Sequence, residues 1–208
     1  MIKGIDVSEL NGHLEEDFWQ RAVDAGCKFV FVRCSYGNGH EDGEFRHNVA
    51  MAHRYGLKVG AYHYDYSLTE RGAATAARKC AEIIQDSGVL LELPVFYDLE
   101  DADGWKADHG YDFSGANATA QCRAWLDNLS LNSGVYASYT WLEERVADHG
   151  GSSLDYQPIN WRSLGCPVWN AEWGPEDDIQ GYVWQYSDSH PDLGVDADYM
   201  YDESLFTD

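Results

Sequence analysis

The chain has 208 residues, with 14 Lys and Arg against 36 Asp and Glu, a formal net charge of −22. That balance excludes a nucleic-acid binder, whose affinity needs clustered cations, and it opposes docking on an anionic membrane surface. An apolar fraction of 44%, with 8 Trp and 14 Tyr, excludes a disordered acidic tail and fits one folded domain with a full core.

Five cysteines (Cys27, Cys34, Cys80, Cys122, Cys166) are odd in number, and none forms a C-x-x-C pair. They read as reduced, mostly buried thiols of a protein made in a cytoplasm. The N-terminus, MIKGID, has no signal-peptide apolar region. The longest apolar stretch, residues 89–97, is broken by Glu92 and Pro94 and is too short to span a bilayer.

In chain order, the pattern predicts a short strand over 3–6, then a helix over 15–25. That helix has Phe18, Trp19, Ala22 and Val23 on one face and Gly26 as its stop. Residues 28–34 (KFVFVRC) are almost continuously apolar, as a strand buried on both faces should be. A second helix is expected over 43–55, with Phe45, Val49 and Ala52 at helical spacing, and a third strand over 57–64 (LKVGAYHY). Ser67-x-x-Glu70 reads as a capping box. The helix it opens carries Ala73, Ala76, Ala77, Cys80, Ile83 and Ile84 on one face and ends at Gly88. The fourth strand is predicted over 93–100 (LPVFYDLE). Ser114 caps a helix through 129, and 134–138 form the fifth strand. Residues 166–172, 182–186 and 195–199 read as three more strands with little helix between them.

Eight strands, the first five alternating with helices, predict an α/β fold closed into a TIM-like barrel whose last third is irregular. The alternative is an open doubly wound sheet. It is disfavoured because neither GxGxxG nor GxxxxGK[ST] occurs.

Active sites of such barrels lie at the carboxyl ends of the strands. Those ends carry Asp6, Tyr62-His63-Tyr64, Asp98-Leu99-Glu100, Tyr139, Glu172-Trp173, Gln185 and Asp196. Asp98 and Glu100 matter most. Positions i and i+2 share a strand face, about 6.6 Å apart along the backbone. Two carboxyls that close in a dry cleft cannot both ionise, so one is held protonated beside an anionic partner. Glycoside hydrolysis uses that combination. Asp6 and Asp196 are expected to point into the same mouth. Tyr62, Tyr64, Tyr139, Trp173 and Gln185 are candidate substrate contacts. The aromatic residues Trp105, Tyr111, Trp141, Trp161, Trp169, Trp173 and Trp184 are too many to be stacking platforms, and most should be core.

Other chemistries have less support. No G-x-S-x-G elbow occurs, and the cysteines fall in strand or helix cores. His63 with Asp65, and His13, His40 and His109, match no metal-ligand spacing, so no metal and no cofactor are expected. His63, between Tyr62 and Tyr64, faces away from them and reads as a structural histidine behind the site.

The ordered set of motifs resembles glycoside hydrolase family 25. It begins with Gly4-Ile5-Asp6-Val7-Ser8, Val32-Arg33-Cys34-Ser35-Tyr36-Gly37 and Phe45-x-x-Asn48. It continues with Gly56-Leu57-x-Val59-Gly60-Ala61-Tyr62-His63-Tyr64, Pro94-Val95-x-x-Asp98-Leu99-Glu100 and Gly134-Val135-Tyr136. Val168-Trp169-x-Ala171-x-Trp173, Trp184-Gln185-Tyr186 and Val195-Asp196 complete it, so that it covers nearly the whole chain.

The resemblance implies an irregular (β/α)5(β)3 barrel, a single catalytic domain over 1–208. It implies hydrolysis of the β-1,4 bond between N-acetylmuramic acid and N-acetylglucosamine in bacterial peptidoglycan, as in lysozymes and phage endolysins. Glu100 matches the general acid. Asp98 matches the partner that steadies charge at the anomeric centre or orients the substrate's N-acetyl group. Asp6 and Asp196 match two further acids of the groove, and Tyr62 a tyrosine of the catalytic subsite. A single displacement by water and participation of the N-acetyl group both remain open. Asp198 stands where asparagine is commoner, and Glu172 adds another acid near the mouth; both are expected to make the groove more negative. No wall-binding module is expected within this sequence, which reads either as a lone catalytic domain or as one separated from a targeting module. A monomer is expected, made without a signal peptide and acting on the cell wall without membrane insertion or nucleic acid. A barrel glycosidase on another N-acetylhexosamine polymer such as chitin, and a non-catalytic carbohydrate-binding module, are the alternatives.

Overall fold

The computed structural model describes residues 1–146 and 157–206. Strand β1 (Ile2–Val7) leads through a turn at 9–11 into α1 (Glu16–Asp24). There follow β2 (Phe29–Tyr36), β3 (His40–Glu41), α2 (Phe45–Arg54), β4 (Lys58–Tyr64) and α3 (Glu70–Ser87). Then come β5 (Val95–Asp98), α4 (Trp105–Asp108), α5 (Gly115–Asn128) and β6 (Ser133–Ser138). The last third holds β7 (Val168–Ala171), β8 (Val183–Ser187) and β9 (Asp196–Met200), with only short helical turns between.

The strands join in the order β1-β9-β8-β7-β6-β5-β4-β2, and a β1–β2 ladder closes them into an eight-stranded barrel. The two-residue β3 is an extra antiparallel partner of β2. The expected barrel is therefore present, and its loss of helices after β6 follows the fading helical pattern. One orientation differs from a parallel reading: β9 runs antiparallel to both β1 and β8. A tight connection feeds β9 back along β8, since the chain from 187 to 196 is too short for a crossover helix.

Alternation sorts the barrel residues into two cores. Val30, Val32, Val59, Ala61, Val95 and Tyr97 point outward, where α1, α2, α3 and α5 cover them. Phe29, Phe31, Leu93, Phe96, Tyr136, Trp169, Val183 and Met200 fill the interior. Phe31 and Phe96 meet edge to face at 5.1 Å, and each contacts Trp169. A ring of this size, fully buried, contributes roughly 1.5–3 kcal/mol. Gly60 is required there for space: a Cβ on it would lie 2.3 Å from the Phe31 ring and 2.9 Å from the Pro94 carbonyl oxygen. This aromatic plug closes the barrel below, so any reaction space must lie above it.

Three local readings are corrected. The cap of α3 is Thr69, whose hydroxyl accepts from Gly72 N–H, and not Ser67. Leu68 packs on the outer core, and the helix begins only after Thr69. Strand β5 stops at Asp98, so Leu99 and Glu100 lie beyond it. The short α4 was not predicted; its first-turn amides at Lys106 and Ala107 are satisfied by the Asp101 carboxylate. The cysteines are free thiols, four of them buried and Cys166 half-buried.

Behind the barrel wall His63 is fully buried, stacked on Trp125 at 5.1 Å and bonded through Nδ1 to the Ser35 hydroxyl at 2.8 Å. Burial lowers its pKa to about 4, so it is a neutral, structural residue as its parity suggested. Of the tryptophans, Trp19, Trp125, Trp141, Trp169 and Trp184 are buried, while Trp173 is 62% exposed. Among the described residues, no helix is long and apolar enough to cross a membrane.

Candidate active site

A cavity of about 580 Å³ opens above the aromatic plug. Its walls hold Asp6, Tyr62, Tyr64, Asp98, Glu100, Gln185 and Asp196, all anticipated from strand ends. Strand register accounts for the grouping. Tyr64 pairs with Asp98, Asp98 with Tyr136, and Asp6 with Asp196, so neighbouring strands bring the acids and phenols to the mouth in two paired groups. Because β9 is antiparallel, Asp196 reaches the mouth from the start of its strand, whereas the other acids come from strand ends.

Gln185 organises one side. Its amide Nε2 donates to Asp6 Oδ2 at 2.9 Å and to Asp196 Oδ2 at 3.1 Å. Its Oε1 accepts from Tyr136 Oη at 3.1 Å and from the rim residue Trp173 Nε1 at 3.3 Å. Trp173 is thus tied to the site without forming part of the cavity lining. Tyr139 also lies outside the lining and packs against the outer core instead. Asp198 sits one layer lower and is fully buried; its Oδ1 accepts from Trp169 Nε1 at 2.9 Å. Glu172 turns away from the cavity and accepts from Asn170 Nδ2 and the Asp178 amide. The extra negative charge expected at the mouth is therefore divided: Asp198 acts from below, and Glu172 does not line the cavity.

Burial dominates the electrostatics. Asp98 is 4% exposed, its Oδ1 has no hydrogen-bond partner, and burial followed by repulsion from Glu100 pushes its pKa well up. Lys106 and Arg33 oppose that rise. Asp6 is raised well above the ordinary range by burial, then by Asp198 and Asp196. Asp198 is raised by burial against the pull of its Trp169 hydrogen bond, and Asp196 is raised to about 6. Burial and the neighbouring acids keep Tyr62, Tyr64 and Tyr136 un-ionised. Burial and mutual repulsion thus favour the protonated forms of these acids. Glu100, half-buried just past β5, stands nearer solvent than Asp98.

Several lining residues went unread in the sequence. Arg33 is buried and paired with Asp42 at 2.8 Å and Glu9 at 3.3 Å. A lone cation at an inward position of the apolar 28–34 run was the available signal. Tyr36, Tyr66, Tyr136 and Trp169 complete the aromatic wall. Tyr66 Oη donates to Asp103 at 2.6 Å. A second hollow of about 630 Å³ shares Tyr36 and Tyr66 and extends the groove past Trp105. An open aromatic groove ending on paired carboxyls suits a polymeric sugar substrate, with rings packing on sugar faces and the acids placed at one bond.

Several known proteins are similar to this chain. Lysozyme M1 of Streptomyces globisporus is 23% identical over 95% of this chain and 65% of its own length. The autolytic lysozyme of Clostridium acetobutylicum is 24% identical over 97% of this chain and 55% of its own length. The chain thus spans under two thirds of either relative. Among solved structures, the modular autolysin LytC of Streptococcus pneumoniae, in complex with a synthetic peptidoglycan ligand, superposes with a TM-score of 0.76 at 23% identity. That match covers 96% of this chain and 46% of the autolysin. A family 25 glycosyl hydrolase of Bacillus anthracis gives 0.67 at 18% identity, over 99% of this chain and 92% of its own. Residues 5–195 match the sequence profile of glycosyl hydrolases family 25, and the chain belongs to that family.

Proposed function

We propose that the protein is a peptidoglycan hydrolase that cleaves the β-1,4 bond between N-acetylmuramic acid and N-acetylglucosamine in the bacterial cell wall. The observation that carries this reading is the Asp98–Glu100 pair at the lip of an aromatic groove, within a chain of glycosyl hydrolases family 25.

Glu100 is the general acid. It is the more exposed of the pair, so a leaving oxygen in the groove can reach it. Its proton passes to the glycosidic oxygen as the bond to the anomeric carbon breaks. Water supplies the hydroxyl to that carbon and returns its proton to the carboxyl pair. Asp98 lies deeper and is itself pushed toward the neutral form, so the pair shares one proton: with that proton on Glu100 for transfer, the Asp98 carboxylate steadies positive charge at the anomeric centre or holds the N-acetyl group. Asp6 and Asp196, bridged by Gln185, set the field around the pair. Tyr62 and Tyr64 flank the sugar, and Trp173 at the rim steadies Gln185 and meets the strand beyond. The relatives named lysozymes and autolysin support the substrate.

The test compares polymers. The protein should clear suspensions of purified peptidoglycan and release reducing ends, with little release from chitin oligomers. Turnover of chitin with none of peptidoglycan would replace the substrate, and retention on either without cleavage would make this a binding module.

A further inference from the structure

The sequence suggested no metal, yet folding brings three potential ligands together from two separate segments. Glu44 immediately precedes α2, and His47 lies in its first turn, an i,i+3 spacing that puts both on one side of the helix start. His13, from the loop between β1 and α1, meets them: its Nδ1 lies 2.8 Å from Glu44 Oε2, and its ring centroid is 4.0 Å from that of His47. One ligand atom from each residue lies within 4.8 Å of the other two. His47 Nε2 faces the Leu14 carbonyl oxygen at 3.0 Å, which makes that nitrogen the donor and leaves the lone pair on Nδ1. Such an outer hydrogen bond orients a metal-binding imidazole.

We propose that His13, Glu44 and His47 form a surface site for a zinc-class divalent cation, with water completing a tetrahedral shell. Two imidazoles and one carboxylate are a donor set that zinc accepts. Bonds of about 2.0–2.1 Å would place the ligand atoms roughly 3.3 Å apart. The longest present separation must therefore shorten, and the His13 side chain, 52% exposed, is free to move inward. The ion takes the place of the proton between His13 and Glu44.

The site has a structural consequence. The loop that carries His13 also carries Glu9, Leu10 and Asn11 of the groove wall. Glu9 already grips the start of α2, accepting from the Gly43 amide at 2.7 Å. A bound ion adds a second tie between the same two segments and firms one lip of the groove. This inference stands on geometry and does not depend on the muramidase reading.

Chelator-stripped protein titrated with zinc against a chromophoric chelator should bind one ion per chain. His13→Ala and His47→Ala should each weaken binding at least tenfold, and zinc should raise Tm in the unaltered protein only. Copper(II) substituted for zinc should show two-nitrogen coordination by electron paramagnetic resonance, reduced to one in His13→Ala. Zinc binding that is unchanged in both histidine variants, or no site tighter than millimolar, would overturn the proposal. So would zinc retained by those variants and lost in Asp6→Asn, which would place the ion at the carboxyl mouth.

Discussion

Glu100→Gln should lower the rate of wall digestion by about a thousandfold, within the 10²–10⁴ range that a positioned general acid supplies. Glutamine keeps the shape of the side chain and its ability to hydrogen-bond, but it has no proton to give the departing oxygen. Because Glu100 is only half-buried and lies beyond the end of β5, the exchange leaves the barrel intact, and Tm should stay within a few degrees. Substrate affinity should survive, since the aromatic wall is untouched. Rates measured on purified peptidoglycan, beside thermal unfolding of the same sample, separate lost chemistry from lost fold. A variant within tenfold of the unaltered protein would move the acid role to another carboxyl, with Asp98 the first to examine.

Stability should fall as pH rises from about 4 to 8, and Asp198→Asn should weaken that fall. Asp6, Asp98 and Asp198 have folded pKa values well above their unfolded ones, and Asp196 rises to about 6. Between the unfolded value near 4 and the raised folded value, the native state holds more protons than the unfolded chain. Its stability therefore declines with pH across that window. His63, lowered to about 4, and His190, lowered by burial, act in the opposite sense below about 6.5. Two histidines do not offset four carboxyls, and above 6.5 they contribute nothing further. A tenfold change in proton affinity is worth about 1.4 kcal/mol. The rise from 3.8 to about 6 at Asp196 therefore amounts to about 3 kcal/mol before solvent screening reduces it. Asparagine at 198 can still accept from Trp169 Nε1 and cannot ionise, so the variant should gain roughly 1–3 kcal/mol at pH 8 and little at pH 4.5. Unfolding midpoints measured from pH 4.5 to 8 read both effects. A protein more stable at pH 8 than at pH 5, or an Asp198→Asn curve parallel to the original, contradicts the account. The instability is the cost of burying four carboxyls around the reaction space.

Much of this was legible because a barrel strand is buried on both faces. KFVFVRC and LPVFYDLE announce themselves by continuous apolar character, and the acids follow at their ends. The placement of Asp98 required only alternation. The position of Glu100 did not follow from it, because β5 ends at Asp98 and the next residues leave the sheet. The direction of β9 was not legible either, since five residues carry no mark of which way they run. Gln185 was visible as a strand-end residue, but its bridge between Asp6 and Asp196 depends on a contact spanning 179 positions. Tyr139 looked like a sugar contact by position alone. The turn at 140–144 that follows β6 carries it away from the groove and onto the outer core. The pairing of His13 with Glu44 lies in the same class of long-range information, although Glu44-x-x-His47 was present as a local signal.

The sugar at the new reducing end decides whether the protein is a muramidase. Purified peptidoglycan is digested, the fragments are reduced with borohydride, and the end groups are read by mass spectrometry. Reduced N-acetylmuramic acid is expected from the unaltered protein and none from Glu100→Gln. Reduced N-acetylglucosamine ends, or equal muramic ends from both proteins, would contradict that expectation.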